Sequence, residues 1–420
     1  MMKVFFLRLF RLSYLGLFFL SGMSPFLFSQ EPIFLGVDTF FQEGKEDFLK
    51  GKRVGLVLNQ TSYNRLLQET YLLFKQKAQN FKIAALFCPE HGIKGLEYAA
   101  EIVHDDKTHD GIPIYSLHGR VRRPTEAMLK SIDVLIFDLQ EIGCRSYTYA
   151  TTLYYLMEEA AKRNIDVIVL DRPNPINGEI VEGPMLDTKW RSFVGYINIP
   201  YCHGMTIGEL ALFFNKEYGI GCRLQVIPMK GWKRWMNFKN TGLSWIPTSP
   251  NIPEADTPYF YVTTGVLGEL GIVNIGIGFT QPFKLVGAPW IKAEVFAHHL
   301  NEQKLPGVKF IPYYYRPFFG LYKQEACQGV KIVITNYQTY RPVKVQSILL
   351  GVLKTLYPSQ FSDGLKALSS ERRNMFCKIT GGEEIWNMLF SEKYVAWKLI
   401  KLQEEERQAF LETRQRYLLY

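Results

Sequence analysis

Four short apolar runs in the first half of the chain, Val54–Leu58, Ile83–Phe87, Val134–Phe137 and Val167–Leu170, each stop abruptly at polar residues. In order they deliver Asn59-Gln60-Thr61, Pro89-Glu90-His91-Gly92, Asp138-Leu139-Gln140 and Asp171-Arg172-Pro173-Asn174. Unbroken apolar runs of this length predict strands covered on both faces, and the stretches between them carry helical spacing. Leu66, Leu67, Leu72, Leu73 and Phe74 predict a crossover helix over 64–79, and a Tyr-, Leu- and Ala-rich stretch predicts another over 148–163. Repeated βα units predict an α/β fold with a parallel, Rossmann-like sheet. Ligands of such sheets sit beyond the carboxyl ends of the strands, so the run ends name the residues of one crevice.

Further along, Ile112–Leu117 predicts a short strand and Leu224–Met229 the last strand of this sheet. Thr206, with Glu209 three residues on, predicts a capped helix start. Residues 230–259 are rich in Trp, Pro, Gly and Asn, and a loop-rich stretch of that length is either functional or a linker. The division that follows is a first domain over 31–250, built on this sheet, and a second over 251–420. In the second part, 329–335 predicts a strand, and 292–302 and 344–356 predict helices. The charged, amphipathic segment 383–415 predicts a solvated surface helix.

Composition narrows the function classes. A chain of 420 residues with 47% hydrophobic and 21% charged residues has the make-up of a globular protein with room for two cores. Its 30 Phe and 24 Tyr suit stacking against sugars, and equally suit an aromatic-rich core. The net charge of +9 includes Lys3, Arg8 and Arg11, and no basic stripe or nucleic-acid motif accompanies it, which argues against nucleic acid as a partner. Those three cations precede the apolar run Leu15–Leu20 and the small residues Ser21-Gly22, so 1–30 is expected to be a signal peptide and the protein to be exported, periplasmic or secreted. Membrane contact is then expected only through an uncleaved signal segment. The six cysteines are widely spread with no CxxC, and whether any pair stays open.

Glu90 carries the most chemistry. It follows a buried strand and is flanked by Phe87 and Pro89, so desolvation is expected to raise its pKa towards the range of a general acid. The plainer role for such a residue is capping the following turn. His91 can hydrogen-bond Glu90 or a substrate, and Gly92 lets the backbone come close. Asp138 and Gln140, with Arg145 and Tyr147 close behind, are expected to form a polar wall for sugar hydroxyls with Arg145 facing an anion; an internal Asp138–Arg145 ion pair is the alternative. Two prolines fix the loop of Asp171 and Asn174, and His203 precedes a helix N-terminus, where free N–H groups favour an acceptor. There is no G-x-S-x-G elbow, no P-loop and no H-E-x-x-H. His104-Asp105-Asp106 and His109-Asp110 match no standard ligand spacing, so no metal and no cofactor is expected.

Taken together, these motifs resemble those of the NamZ-type exo-β-N-acetylmuramidases, once catalogued as a domain of unknown function. The resemblance rests on Pro89-Glu90-His91-Gly92, Phe137–Gln140 with Gly143-x-Arg145-x-Tyr147, and Asp171–Pro175. It extends through Val181–Pro184, His203–Leu210, Pro228–Trp232 and Ser249-Pro250-Asn251-Ile252-Pro253. It implies a Rossmann-like N-terminal domain, a smaller α+β C-terminal domain and a cleft between them that releases terminal N-acetylmuramic acid from peptidoglycan fragments, so that muramyl saccharides are the expected partners. Glu90 matches the family's leading catalytic candidate and would protonate the leaving oxygen, while another group stabilises or traps the oxocarbenium-like centre. The 2-acetamido group of the sugar can itself assist. The lactyl carboxylate is expected at Arg145 or a helix terminus. Asn59, Asp138, Gln140, Tyr147, Asp171, Asn174, His203, Asn251 and Glu269 complete the expected substrate-facing set.

One departure stands out. Where the family carries Ser-Glu-Gly-Arg-Gly, this chain has Asn274-Ile275-Gly276-Ile277-Gly278, so a Glu and an Arg are both isoleucine. That makes impaired or altered catalysis an expectation, and a non-catalytic muropeptide-binding or scaffold protein the alternative. A nucleotide- or sugar-phosphate-binding module is a third, since fold alone does not fix function. Nothing in the sequence specifies an oligomeric state.

Overall fold

A computed structural model describes residues 31–420; the expected signal peptide over 1–30 lies outside the described residues. The strands are β1 (Arg53–Leu58), β2 (Lys82–Cys88), β3 (Asp106–Lys107), β4 (Pro113–Ser116), β5 (Val134–Asp138), β6 (Asp166–Leu170) and β7 (Leu224–Ile227). They form one seven-stranded sheet in the order β3-β4-β2-β1-β5-β6-β7. All neighbours are parallel except the short β3–β4 pair. Without β3, the order is that of a Rossmann sheet, and its direction of winding reverses between β1 and β5.

The four apolar runs are β1, β2, β5 and β6, and side-chain alternation splits each between two cores. Val54, Leu56, Ile83, Leu86, Val134, Ile136, Ile168 and Leu170 pack on one face with helix α1 (Gly36–Gln42) and the single buried ring, Phe74, of α2 (Thr70–Lys77). Val57, Phe87, Leu135, Phe137, Val167 and Val169 face the other way, towards α4 (Tyr149–Ala161) and α5 (Ile207–Glu217); the short α3 is Glu126–Leu129. Gly55 is required where β1 crosses this second face, because a Cβ there would lie 2.8 Å from the Leu135 side chain.

The second core continues into helix α6 (Thr257–Glu269), α7 (Ala293–Glu302) and α8 (Pro342–Leu356). An antiparallel sheet of β8 (Leu285–Ala288), β9 (Val308–Tyr315) and β10 (Cys327–Ile334), ordered β8-β10-β9, packs there. Five helices close the chain: α9 (Pro358–Ala367), α10 (Ser370–Thr380), α11 (Glu384–Ser391), α12 (Val395–Lys401) and α13 (Glu404–Arg414). The fold is therefore the expected α/β class, a Rossmann-like sheet followed by a smaller α+β part.

Two elements differ from expectation. The crossover helix begins only at Thr70, and Leu66, Leu67 and Leu72 are exposed. The Asn64 carboxamide accepts from the N–H groups of Leu66 and Gln68, and Leu67 takes a left-handed φ of 59°, which holds the segment as a turn. The C-terminal segment is not one solvated helix but three, and it buries Trp386, Leu389, Val395, Leu399 and Phe410. Arg414 is buried with them, its guanidinium donating to the carbonyls of Gly178, His203 and Gly204. All six cysteines are buried, unpaired thiols. No helix among the described residues is long and apolar enough to cross a membrane.

Candidate active site

Glu90 sits two residues beyond the end of β2, in a turn closed by the Gly92 N–H donating to the Pro89 carbonyl at 3.1 Å. His91 takes φ 72°, the left-handed region that non-glycine residues avoid. Its Nδ1–H donates to the Glu97 carbonyl at 2.8 Å, which holds the turn open. Gly92, also left-handed, lies against the Glu97 side chain; a Cβ there would be 2.5 Å from Oε2. Ten residues on, Ala100 adopts φ 67° and so aims its N–H at Glu90 Oε1, 3.0 Å away. Two strained residues flank one carboxylate, a concentration that points to a functional position.

The other oxygen, Oε2, accepts from the Thr148 hydroxyl at 2.8 Å, where the loop after β5 enters α4. His118, two residues past β4, places Nε2 3.7 Å from Oε1. Burial pushes the Glu90 carboxyl up, but His118, the Ala100 N–H, the Thr148 hydroxyl and His91 more than offset it. The net result is a carboxyl held below its usual range, which corrects the expectation that burial alone makes it a general acid in the free protein. Burial also pushes His118 down to about 4, against the pull of Glu90. At neutral pH the pair is a carboxylate beside a neutral imidazole.

Around this pair lie buried polar atoms without a close hydrogen-bond partner among the described residues: both ring nitrogens of His118, Arg122 Nη1, and the Tyr147 and Thr248 hydroxyls, which lie next to each other. Buried polar groups are nearly always hydrogen-bonded, so a cluster of exceptions marks where a polar ligand belongs. Burial holds the Tyr147 phenol well above its usual range, and it stays a donor. The Tyr147 ring packs edge-on against Tyr149 and Tyr261, with centroids 4.8 and 6.3 Å away. Tyr261 lies on α6, and Glu269 follows it by two turns of that helix. Gly265 between them leaves the helix surface open. Burial raises the Glu269 carboxyl, with Arg372 opposing. The expected residues gathered here are thus Glu90, His91 and Tyr147, with Glu269 on the same helix as Tyr261.

Most of the other expected residues reach the crevice but are tied up by the protein itself. Asp138 pairs with Arg172 at 2.6 Å and accepts from the Thr70 hydroxyl, so the ion pair forms with Arg172 rather than with Arg145. Arg145 meets no anion; it donates to the carbonyls of Pro184, Ile199 and Ile379. Asn59 donates to the Tyr149 hydroxyl and accepts from Thr61, and Gln140 donates to the carbonyls of Glu141 and Pro173. Asp171 accepts from the Thr206 and Tyr420 hydroxyls and the Gly208 N–H. Asn174 donates to the Met205 carbonyl at 3.0 Å. His203 is fully buried, its Nδ1 accepting from the Met205 N–H and its Nε2 3.8 Å from Glu141. Asn251, half-buried, follows Ser249 in the turn next to Thr248. The loop acids are likewise used: Asp105 accepts from the Ser116 N–H, and Asp110 pairs with Lys75. His118, Arg122, Thr148 and Thr248 escaped the sequence argument, although His118 obeys the same strand-exit rule as Glu90.

Ile275 is buried against Gly268 of α6, and Ile277 packs on the same core. The loop keeps its shape through Asn274, which accepts from the Gly276 N–H and donates to the carbonyls of Ile277 and Leu321.

Two family models match the chain in tandem: exo-β-N-acetylmuramidase NamZ, N-terminal, over residues 54–256, and the C-terminal model of the same family over 259–420. A curated relative, the peptidoglycan β-N-acetylmuramidase NamZ of Bacillus subtilis (strain 168), is 39% identical over 388 residues, covering 92% of this chain and 91% of that protein. A crystal structure of a DUF1343 family protein from Bacteroides fragilis NCTC 9343 superposes with a TM-score of 0.86 at 40% identity, covering 92% of this chain and 99% of the other. A second DUF1343 structure from the same organism gives 0.67 at 26% identity with the same coverage.

Proposed function

The chain belongs to the exo-β-N-acetylmuramidase NamZ family, and we propose from its site that it is an exo-acting glycoside hydrolase releasing terminal N-acetylmuramic acid from peptidoglycan fragments. The observation that carries this reading is Glu90, held at both oxygens by Ala100 and Thr148 and ringed by buried polar atoms without a close hydrogen-bond partner. Glu90 is the general acid for the leaving oxygen. In the free protein it is ionised, so it takes up its proton as the sugar arrives: the sugar excludes water from the carboxylate, and both desolvation and a substrate carboxylate raise its pKa. His118, neutral and 3.7 Å away, is placed to relay that proton. Tyr147, Thr248 and Tyr261 form the wall that meets the sugar's hydroxyls and face. Glu269, two turns beyond Tyr261 on α6, is our candidate for the second carboxylate, acting alone or with the 2-acetamido group.

The chain keeps both Glu90 and Glu269 alongside the apolar residues Ile275 and Ile277, which supports an active enzyme over a binding-only protein. The basic and apolar pattern of residues 1–22 supports export. The test is release of N-acetylmuramic acid from a defined N-acetylmuramoyl–N-acetylglucosamine disaccharide. Glu90→Gln is expected to lose about 10²–10⁴-fold in kcat, the usual contribution of a general acid, while still binding N-acetylmuramic acid. Full turnover by Glu90→Gln would remove the role assigned to it.

A further inference from the structure

Cleaving a muramic acid end requires telling N-acetylmuramic acid from N-acetylglucosamine, and the two differ only by the lactyl group with its carboxylate. A protein selects such an anion with a cation that no carboxylate of its own has claimed. Arg145, the expected candidate, is fully buried and gives both Nη groups to three backbone carbonyls, leaving only its Nε without a partner. Three arginines follow β4: Arg120, Arg122 and Arg123. Arg120 is exposed. Arg123 pairs with Glu158, donates to the Tyr196 hydroxyl and lies 3.7 Å over the Tyr155 ring. Arg122 differs from both. It is half-buried, its Nη1 is buried without a partner, and among the described residues it forms no ion pair.

Its position joins it to the site. The guanidinium lies 4.7 Å over the Phe193 ring, whose aromatic neighbours are His118, 5.5 Å away, and Tyr155, 6.1 Å away. His118 is 3% exposed with neither ring nitrogen partnered, and it touches Glu90. The chain Arg122, Phe193, His118, Glu90 therefore runs from an unclaimed cation to the proposed acid. Arg122 also feels the Glu90 charge, but the Glu90 oxygens are taken by Ala100 and Thr148. The Phe193 ring supports the guanidinium, whose planar fork suits a two-pronged grip on a carboxylate.

Resting on the function proposed above, we infer that Arg122 binds the lactyl carboxylate and sets the preference for a muramic acid end that carries a free acid. The test uses the full chain and three 4-nitrophenyl β-glycosides: of N-acetylmuramic acid, of its lactyl methyl amide, and of N-acetylglucosamine. The wild type is expected to favour the acid over the amide. In Arg122→Leu, kcat/KM for the acid is expected to fall about 30- to 1000-fold, as when one partner of a desolvated charge pair is removed. The loss is expected mainly in KM, so that the acid-over-amide ratio falls towards one. Arg122→Lys keeps the charge without the fork and is expected to retain part of that ratio, which a merely structural arginine would not show. An Arg122→Leu or Arg122→Gln protein that keeps the wild-type ratio, at whatever overall rate, overturns the inference. A wild type that cleaves acid and amide equally overturns it while leaving the proposed function standing. A wild type that cleaves neither muramoyl glycoside overturns the function itself, and the inference with it.

Discussion

Replacing Thr148 by valine should move the pH dependence of the reaction upwards, and by an amount the structure sets. The Thr148 hydroxyl donates to Glu90 Oε2 at 2.8 Å and so favours the ionised carboxyl. The Glu90 side chain is only 12% exposed, so water does not freely replace a lost donor. A hydrogen bond to a charged group is worth about 1.5–3 kcal/mol, and one pKa unit corresponds to about 1.4 kcal/mol. Removing the bond therefore raises the Glu90 pKa by about one to two units. The valine methyl group adds desolvation in the same direction. Valine matches threonine in shape, and the backbone carbonyl of Thr148 keeps accepting from the Thr152 N–H.

A general acid works only while protonated, so its pKa sets the alkaline limb of the rate profile. The limb of kcat/KM reports Glu90 in the free enzyme and that of kcat reports it in the complex; both should shift upwards in Thr148→Val. Above the wild-type limb the variant should then be the faster enzyme, despite losing a contact to its own acid. The assay is nitrophenol release from the N-acetylmuramic acid glycoside across pH. A limb that stays in place or moves down, with Glu90→Gln inactive, would refute the claim that Thr148 holds the acid in its ionised form.

Two further outcomes test the structural assignments. Arg145→Met strands the buried carbonyls of Ile199 and Ile379, each costing about 1–3 kcal/mol when left unpaired, while that of Pro184 keeps the Tyr201 N–H; urea unfolding should show a loss of about 2–6 kcal/mol, and a raised KM at unchanged stability would restore Arg145 to the substrate. Glu141 is buried with its pKa pushed up to about 8, so between about pH 4.5 and 8 the folded state holds a proton that the unfolded state has released. Stability should fall with rising pH there, by up to about 1.4 kcal/mol per unit from this group, and Glu141→Gln should flatten that slope when denaturation midpoints are compared from pH 5 to 8.

The sheet was legible because strands covered on both faces must be apolar throughout, and the predicted β1, β2, β5 and β6 match within a residue at every end. The misjudged elements are those where apolar content and burial part company. Leu66, Leu67 and Leu72 supply helical spacing but stay exposed, because the Asn64 side chain settles the local backbone. Arg414 gives its segment a solvated look, yet its charge is absorbed by three carbonyls more than 200 residues away. The site divides in the same way. A sequence shows which side chains arrive at the strand ends, whereas their partners come from anywhere: Asp138 is claimed by Arg172 and Asp171 by Tyr420, the last residue of the chain.

That division has a physical pattern. In a Rossmann sheet the natural crevice lies where the winding reverses, here between β1 and β5. This protein fills it. Asn59 from β1, Asp138 from β5, Arg172 after β6 and Thr70 close a fully satisfied network across the reversal point. Tyr420 seals the neighbouring loop by donating to Asp171 and accepting from the Met229 N–H. No polar atom of Asp138, Asn59 or Asp171 is left for a ligand. Several unpartnered atoms gather one position over, beyond β2 and β4, where Glu90 and His118 emerge and the loop after β5 brings Tyr147 and Thr148, while others lie apart, among them Gln60 Oε1, Glu141 Oε1, Arg145 Nε and His203 Nε2. The saturated network gives that neighbouring corner a rigid floor, so a carboxylate can be held between two left-handed residues without relaxing. The fold's usual ligand position has become the support, and the chemistry has moved to the strands beside it.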